Sequence, residues 1–177
     1  AEQSLLFRTA RDFLMKDIDR VFVNDVDAYD KLREIADYMA PKLKARILLK
    51  ESEALFDRYD TESKIEKALA RKVWLKSGGY VIIDRTEALT SIDVNSGKFV
   101  GKDNLEKTIT AVNCEAAKEI AKQLRLRDIG GIIIIDFIDM EKEANRALVL
   151  TTLKTALRED HTRSHVFGFT HLGLVEM

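Results

Sequence analysis

Four consecutive isoleucines, Ile132-Ile133-Ile134-Ile135, followed at once by Asp136, constrain this chain more than any other feature. A short, unbroken β-branched run with Gly130-Gly131 in front of it is the pattern of a strand covered on both faces. Such a strand belongs inside a layered α/β structure. The segment before it agrees: Leu105, Ile109, Val112, Ala116, Ile120 and Leu124 recur at steps of four, three, four, four and four, which predicts a long amphipathic helix ended by the two glycines. In open α/β sheets ligands bind at the carboxyl ends of strands, so Asp136 is delivered to the edge where chemistry is expected.

Around this centre the chain changes period. From residue 72 to 94 it reads at period two, with Val73-Trp74-Leu75, a turn at Ser77-Gly78-Gly79, then Tyr80 to Ile83 and Leu89 to Val94, which predicts a hairpin or meander. Before it, residues 4 to 15 place Leu6, Ala10, Phe13 and Leu14 on one helical face. Val21-Phe22-Val23 and Ile47-Leu48-Leu49 read as strands flanking a helix over residues 26 to 40 that Pro41 stops. Thr61 to Leu69 suggests another helix. After Asp136 come a helix carrying Ala147, Leu150, Leu153 and Leu157 and a final strand at Val166 to Phe169. One proline, eight glycines, no repeat and no low-complexity stretch leave little room for a linker. The fold class is α/β with mixed α+β sheets, and the composition shift places a boundary near residues 70 to 78.

Charge narrows the function. With 29 basic and 30 acidic side chains in 177 residues the net charge is −1, which excludes a globally basic nucleic-acid binder and leaves only local patches. The single cysteine, Cys114, excludes an internal disulfide and a cysteine-based zinc site, and no apolar run approaches the roughly 20 residues of a membrane helix. A reducing, cytoplasmic setting follows. The start at Ala1 and the end at Leu174-Val175-Glu176-Met177 suggest a segment cut from a longer protein.

Two segments carry the chemistry, Ser91-Ile92-Asp93-Val94-Asn95-Ser96-Gly97 and the isoleucine run with Asp136-Phe137-Ile138-Asp139. Residues two apart in a strand share a face, so Asp93 and Asn95 project together while Ile92 and Val94 enter the core. If the two strands are neighbours, Asp93 and Asp136 face each other. Two such carboxylates either raise one pKa or recruit a hard cation, magnesium or manganese rather than zinc. Asp139 has a plainer reading as N-cap of the helix expected near Glu141. The aliphatic run ending in Asp136 also suggests a P-loop enzyme, but Gly97 to Asp103 has three residues between its glycines where that loop needs four, and Asp103 stands where a Ser or Thr is required. His161, His165 and His171 have no ligand-rich neighbour and read as surface or turn residues. Cys114 reads as a core residue. Lys118, Lys122 and Arg125 line one side of the long helix with Arg127 extending its positive end, and Lys42, Lys44, Arg46 and Lys50 form a second basic cluster. Solvated faces account for both, with phosphate contact as the alternative.

Taken in order, Ser77-Gly78-Gly79, Thr86-Glu87-Ala88-Leu89, Ile92-Asp93-Val94-Asn95-Ser96-Gly97, Asn113-Cys114-Glu115-Ala116-Ala117, Gln123 to Gly131, Ile135 to Met140 and the closing Leu172 to Met177 strongly resemble the bacterial ribonuclease E/G family. The resemblance is dense from about residue 73 onward and weaker before it. It implies that residues 1 to 75 are part of an RNase H-like subdomain packed on a DNase I-like catalytic subdomain at residues 76 to 177. It further implies that Asp93 and Asp136 bind a catalytic magnesium and that Asn95 helps position the scissile region. Lys98, Arg125 and Arg127 are the candidate RNA contacts. The implied activity is endonucleolytic cleavage of single-stranded RNA in ribosomal RNA maturation and messenger decay, commonly stimulated by a 5′-monophosphate. Full-length members also carry an OB-fold RNA-binding domain and a Cys-x-x-Cys zinc link that joins protomers. The chain has no zinc ligands for that link, so zinc and homo-oligomerisation are expected only of the full-length protein. The competing readings are a catalytically inactive RNA-binding or assembly module, and a metal-dependent phosphatase acting on small phosphoesters.

Overall fold

A computed structural model describes residues 4–13, 18–97, 105–158 and 163–177. The chain divides into two compact units, residues 1–64 and 65–177. In the first, helix α1 (Leu5–Phe13) precedes strand β1 (Val21–Val23), helix α2 (Val26–Met39), strand β2 (Ile47–Leu49) and a short helix α3 (Leu55–Arg58). β1 and β2 pair in parallel, so β1-α2-β2 is a βαβ unit. α2 begins where Asp25 accepts a hydrogen bond from the Ala28 amide at 2.7 Å. It ends at Met39 because Pro41 cannot continue it; residues Pro41–Arg46 tighten into a 3-10 turn instead. Ala10, Leu32, Ala36 and Ile47 form a small core. Leu14, expected on the face of α1, lies outside the described residues.

Helix α4 (Thr61–Leu69) leads into the second unit, where strands β3 (Lys72–Trp74), β4 (Tyr80–Arg85), β5 (Thr90–Asn95), β6 (Ile133–Asp136), β7 (Gly168–Phe169) and β8 (Val175–Glu176) form a sheet of order β3-β4-β5-β6-β8-β7. Helix α5 (Leu105–Leu126) connects β5 to β6, which pair in parallel; helix α6 (Glu143–Leu157) follows β6. The other pairings are antiparallel, so the fold is mixed α/β with parallel and antiparallel strands in one sheet. Alternation fixes what faces inward. Val81, Ile83, Ile92, Val94, Ile133 and Ile135 join Val112, Ala116, Ile120, Leu124, Val149 and Leu153 of the two helices in one core.

The isoleucine run departs from expectation. Ile133 and Ile135 are buried, Ile134 is half-buried, and Ile132 and Asp136 are exposed, so β6 is covered by helices on one side only. Two of the four isoleucines, Ile133 and Ile135, satisfy the inner face and the other face is left open. On α6 the buried stripe is Val149, Leu153 and Leu157, with Ala147 exposed and Leu150 half-buried. The last strand is shorter than expected, Gly168–Phe169, and pairs with β8, which no periodicity marks because it has two residues.

Candidate active site

The open face of this sheet collects the residues of interest. β5 and β6 lie side by side with Asp93 paired to Asp136 in register, and Asp93 and Asn95 point to the face opposite the buried Ile92 and Val94. Neighbouring strands are about 4.8 Å apart, so the two carboxylates project beside one another at the carboxyl ends of two parallel strands. Asn95 Nδ2 donates to Asp93 Oδ2 at 2.6 Å. The Asp136 carboxyl is held above its ordinary pKa by partial desolvation, then by the charge of Asp93 and then by that of Asp139. The structure therefore brings Asp93, Asn95 and Asp136 together, and a negative charge on Asp136 is disfavoured there.

Several buried contacts build this edge. Phe137 and Met140 sink into the core on either side of Ile138, and Asn113, fully buried on α5, bonds both ways to that residue: Nδ2 donates to the Ile138 carbonyl at 2.8 Å and Oδ1 accepts from its amide at 3.1 Å. Arg146 Nε donates to the Met140 carbonyl at 3.0 Å. Helix α6 begins at Glu143, with Lys142 rather than Asp139 at its N-cap and no side-chain cap from it. Glu106 of α5 anchors the start of the helix instead, accepting from the Lys142 amide at 2.8 Å and from the Asn145 side-chain Nδ2 at 2.7 Å. Asp139 stays exposed near Asp136.

On the other flank, the β3–β4 turn abuts the end of β5. Gly97 has φ +63°, and a Cβ there would lie 2.4 Å from the Gly78 carbonyl oxygen; a Cβ on Gly79 would lie 2.7 Å from that of Asn95. Glu115 fixes the same turn by accepting from the Lys76 and Ser77 amides at 2.6 and 3.2 Å. Burial pushes its carboxyl up, but the bonds from Ser77 and Lys76 outweigh it and leave the pKa below the usual value.

The other candidates lie elsewhere. Arg125 and Arg127 stand at the C-terminal end of α5, which is about 33 Å long and returns the chain to the start of β6, the edge opposite the carboxylates. Arg125 is exposed; Arg127 is half-buried, its Nε donating to Gln123 Oε1 at 2.9 Å and its Nη2 to the Ala70 carbonyl at 2.7 Å, and burial lowers its pKa. Lys98 and the Gly97-to-Asp103 loop beyond Gly97 lie outside the described residues, as does His161. His165 meets the Phe167 ring edge-on at 4.6 Å, and exposed His171 lies between β7 and β8. Cys114 is half-buried against the core, as expected.

No three His, Cys, Asp or Glu side chains among the described residues converge as a metal cage. Two adjacent carboxylates nevertheless suit a magnesium-like ion, which keeps much of its water and takes one or two carboxylates from a protein. A divalent cation between them would also relieve the desolvation and the charge of Asp93 that together raise the Asp136 pKa. Sequence reasoning missed Asn113, Glu106 and Glu115 as supports. The signal for Asn113 was present: it is a polar residue directly beside Val112 on the face that α5 buries.

Among the described residues no helix is long and apolar enough to cross a membrane. Comparison with known proteins matches the Ribonuclease E/G family model over residues 1–177. Ribonuclease G of Escherichia coli (strain K12) is 48% identical over 177 residues, covering 99% of this chain and 36% of that protein. Ribonuclease E of Escherichia coli (strain K12) is 41% identical over 178 residues and ribonuclease E of Haemophilus influenzae 40% over 177, with 17% and 19% of those proteins covered. The chain thus spans about a third of the ribonuclease G relatives and less than a fifth of the ribonuclease E relatives.

Proposed function

From the premise that this chain belongs to the ribonuclease E/G family, we propose that it carries the catalytic centre of a magnesium-dependent endoribonuclease that cleaves single-stranded RNA. The observation that supports this most directly is the in-register pairing of Asp93 with Asp136 at the carboxyl ends of parallel strands. Asp93 and Asp136 would hold magnesium, or manganese in its place. Once bound, the ion supplies charge neutralisation at the phosphodiester and lowers the pKa of water. The remaining roles fall to the chain itself. Asn95, tethered through its amide to Asp93, orients the scissile phosphodiester. The Asn113 clamp on Ile138 holds Asp136 and Asp139 at a fixed distance from β5, so the carboxylates are set before substrate arrives.

The same proposal takes residues 1 to 75 as part of an RNase H-like subdomain and 76 to 177 as a DNase I-like one. It assigns the protein to ribosomal RNA processing and messenger decay in the cytoplasm, acting as a homo-oligomer in its full-length form. The test is cleavage of a 5′-monophosphorylated single-stranded RNA with and without magnesium, using the protein and its Asp93→Asn and Asp136→Asn variants. Each variant should lose most metal-dependent cleavage. In chelator, Asp136→Asn should unfold no more easily than the parent, because a carboxyl whose folded pKa is raised destabilises the charged fold. Parental cleavage rates in both variants would remove the assignment; RNA binding without any magnesium-dependent cleavage would favour an inactive binding module.

A further inference from the structure

The face that bears the carboxylates also bears an aromatic pair. Strand register sets Trp74, Tyr80 and Asn95 in one row across β3, β4 and β5, and Lys72, Ile82, Asp93 and Asp136 in the next, extending to β6. Residues directly opposed across an antiparallel pair project to the same side, and Val73, Val81 and Val94, which alternate with them, pack in the core. Trp74 is 64% exposed and is the only tryptophan of the chain. Its ring meets that of Tyr80 edge-on, with centroids 5.4 Å apart and planes at 65°. Lys72 Nζ lies 4.0 Å from the indole centroid and 3.6 Å from the phenol centroid.

An indole left in water on a rigid strand is a large apolar surface with no core to enter. Here strand pairing and the steeply tilted Tyr80 ring hold it in place, so little rotamer freedom is lost when a flat ligand settles on it. With strands about 4.8 Å apart, Tyr80 lies one strand and Trp74 two strands from Asn95, roughly 5 and 10 Å across the sheet. The place where an aromatic cage would take a ligand cation is filled by Lys72, so a quaternary ammonium ligand does not fit. A flat ring carrying negative charge fits, since the ring stacks while the ammonium turns to the charge. Nearby Arg71 is committed to Asp84 through two bonds of 2.6 and 2.7 Å, whereas Lys72 lies over the two rings.

We infer that Trp74, Tyr80 and Lys72 form a stacking platform for one unpaired nucleobase of the RNA strand, a few nucleotides at most from the phosphodiester that would meet the metal site of Asp93 and Asp136. This deepens the nuclease reading and rests on it. Stacking is tolerant of base identity because every base presents a π-face, and it rejects duplexes because their bases are already stacked within the helix. The platform therefore gives the site a physical means of choosing single strands next to the reacting bond.

The single tryptophan makes the test direct. In chelator, so that no cleavage occurs, a single-stranded oligoribonucleotide titrated into the protein should quench the tryptophan emission, while an RNA duplex, an abasic oligomer of the same backbone and inorganic polyphosphate should not. Trp74→Ala should raise the Kd of a labelled single-stranded oligoribonucleotide, followed by anisotropy, about five- to a hundredfold, the range expected for one stacked base. Trp74→Phe should restore most of the affinity. Equal quenching by the abasic oligomer or polyphosphate, absence of quenching by single-stranded RNA, or an unchanged Kd in Trp74→Ala each overturns the platform. Magnesium-dependent cleavage without quenching would remove the platform alone; quenching without any such cleavage would remove the nuclease reading instead.

Discussion

Replacing Asn113 by alanine tests how the carboxylate edge is built. Asn113 is fully buried on α5 and its amide makes two bonds to the backbone of Ile138, two residues after Asp136. Each bond is worth about 1 kcal/mol net, and a buried partner left unpaired adds about 1–3 kcal/mol. Ile138 is half-buried, so water can partly satisfy its amide and carbonyl, and a total loss of about 2–4 kcal/mol is expected. Against a domain stability of about 5–15 kcal/mol the variant still folds. With a urea slope near 2 kcal/mol per molar, its unfolding midpoint should fall by about 1–2 M with the slope unchanged. Asn113→Asp keeps the shape but sets a carboxylate oxygen against the Ile138 carbonyl, so at neutral pH it should do no better than alanine. A second readout separates positioning from bulk stability. Leu153→Ala, in the same core but without a hydrogen bond to the segment after Asp136, should lose a comparable 2–5 kcal/mol, about the usual range for such a truncation. Only Asn113→Ala should raise the magnesium concentration needed for half-maximal cleavage. A loss below about 0.5 kcal/mol, well under the net worth of the bonds removed, or a magnesium midpoint shifted no further than in Leu153→Ala, would refute the reasoning.

Two further outcomes concern the other flank of the site. Gly97→Ala should destabilise by about 1–3 kcal/mol, more than Gly131→Ala, because both have positive φ but only at Gly97 would the new methyl meet backbone, 2.4 Å from the Gly78 oxygen; urea midpoints of the two variants compare them. Glu115→Gln should lower stability at pH 7 by about 1–2 kcal/mol and flatten the acid limb of the stability profile. The sign follows from a folded pKa held below the usual 4.5: the clamp's contribution is complete above the unfolded value and is lost as pH falls through the folded one. An acid limb in Glu115→Gln as steep as the parent's would contradict it.

How much of this was legible in the sequence depends on which signals are local. Periodicity carries α5 and the placement of Asp93 and Asn95 on one face, because burial of Ile92 and Val94 forces the alternation. Asp136 was legible as the end of a strand, but not its register against Asp93, which is set by a 22-residue crossover helix and by pairing that no local pattern encodes. The isoleucine run misled about coverage for a related reason. A β-branched residue satisfies a strand whether or not a helix lies over it, so Ile134 reads the same on an open face as on a closed one. The supports were harder still. Asn113, Glu106 and Glu115 each bond to backbone 25 to 39 residues away in sequence, and a polar residue on a helix reads as solvated unless its partner is known. The aromatic row shows the same limit from the other side. In β3 alone Trp74 is an ordinary alternating residue; only the pairing of Trp74 with Tyr80, and of Tyr80 with Asn95, carries it to the edge of the carboxylates. What distinguishes this face is therefore a product of register, and a one-residue slip of β3 or β4 would send the platform into the core and leave the carboxylates where they are.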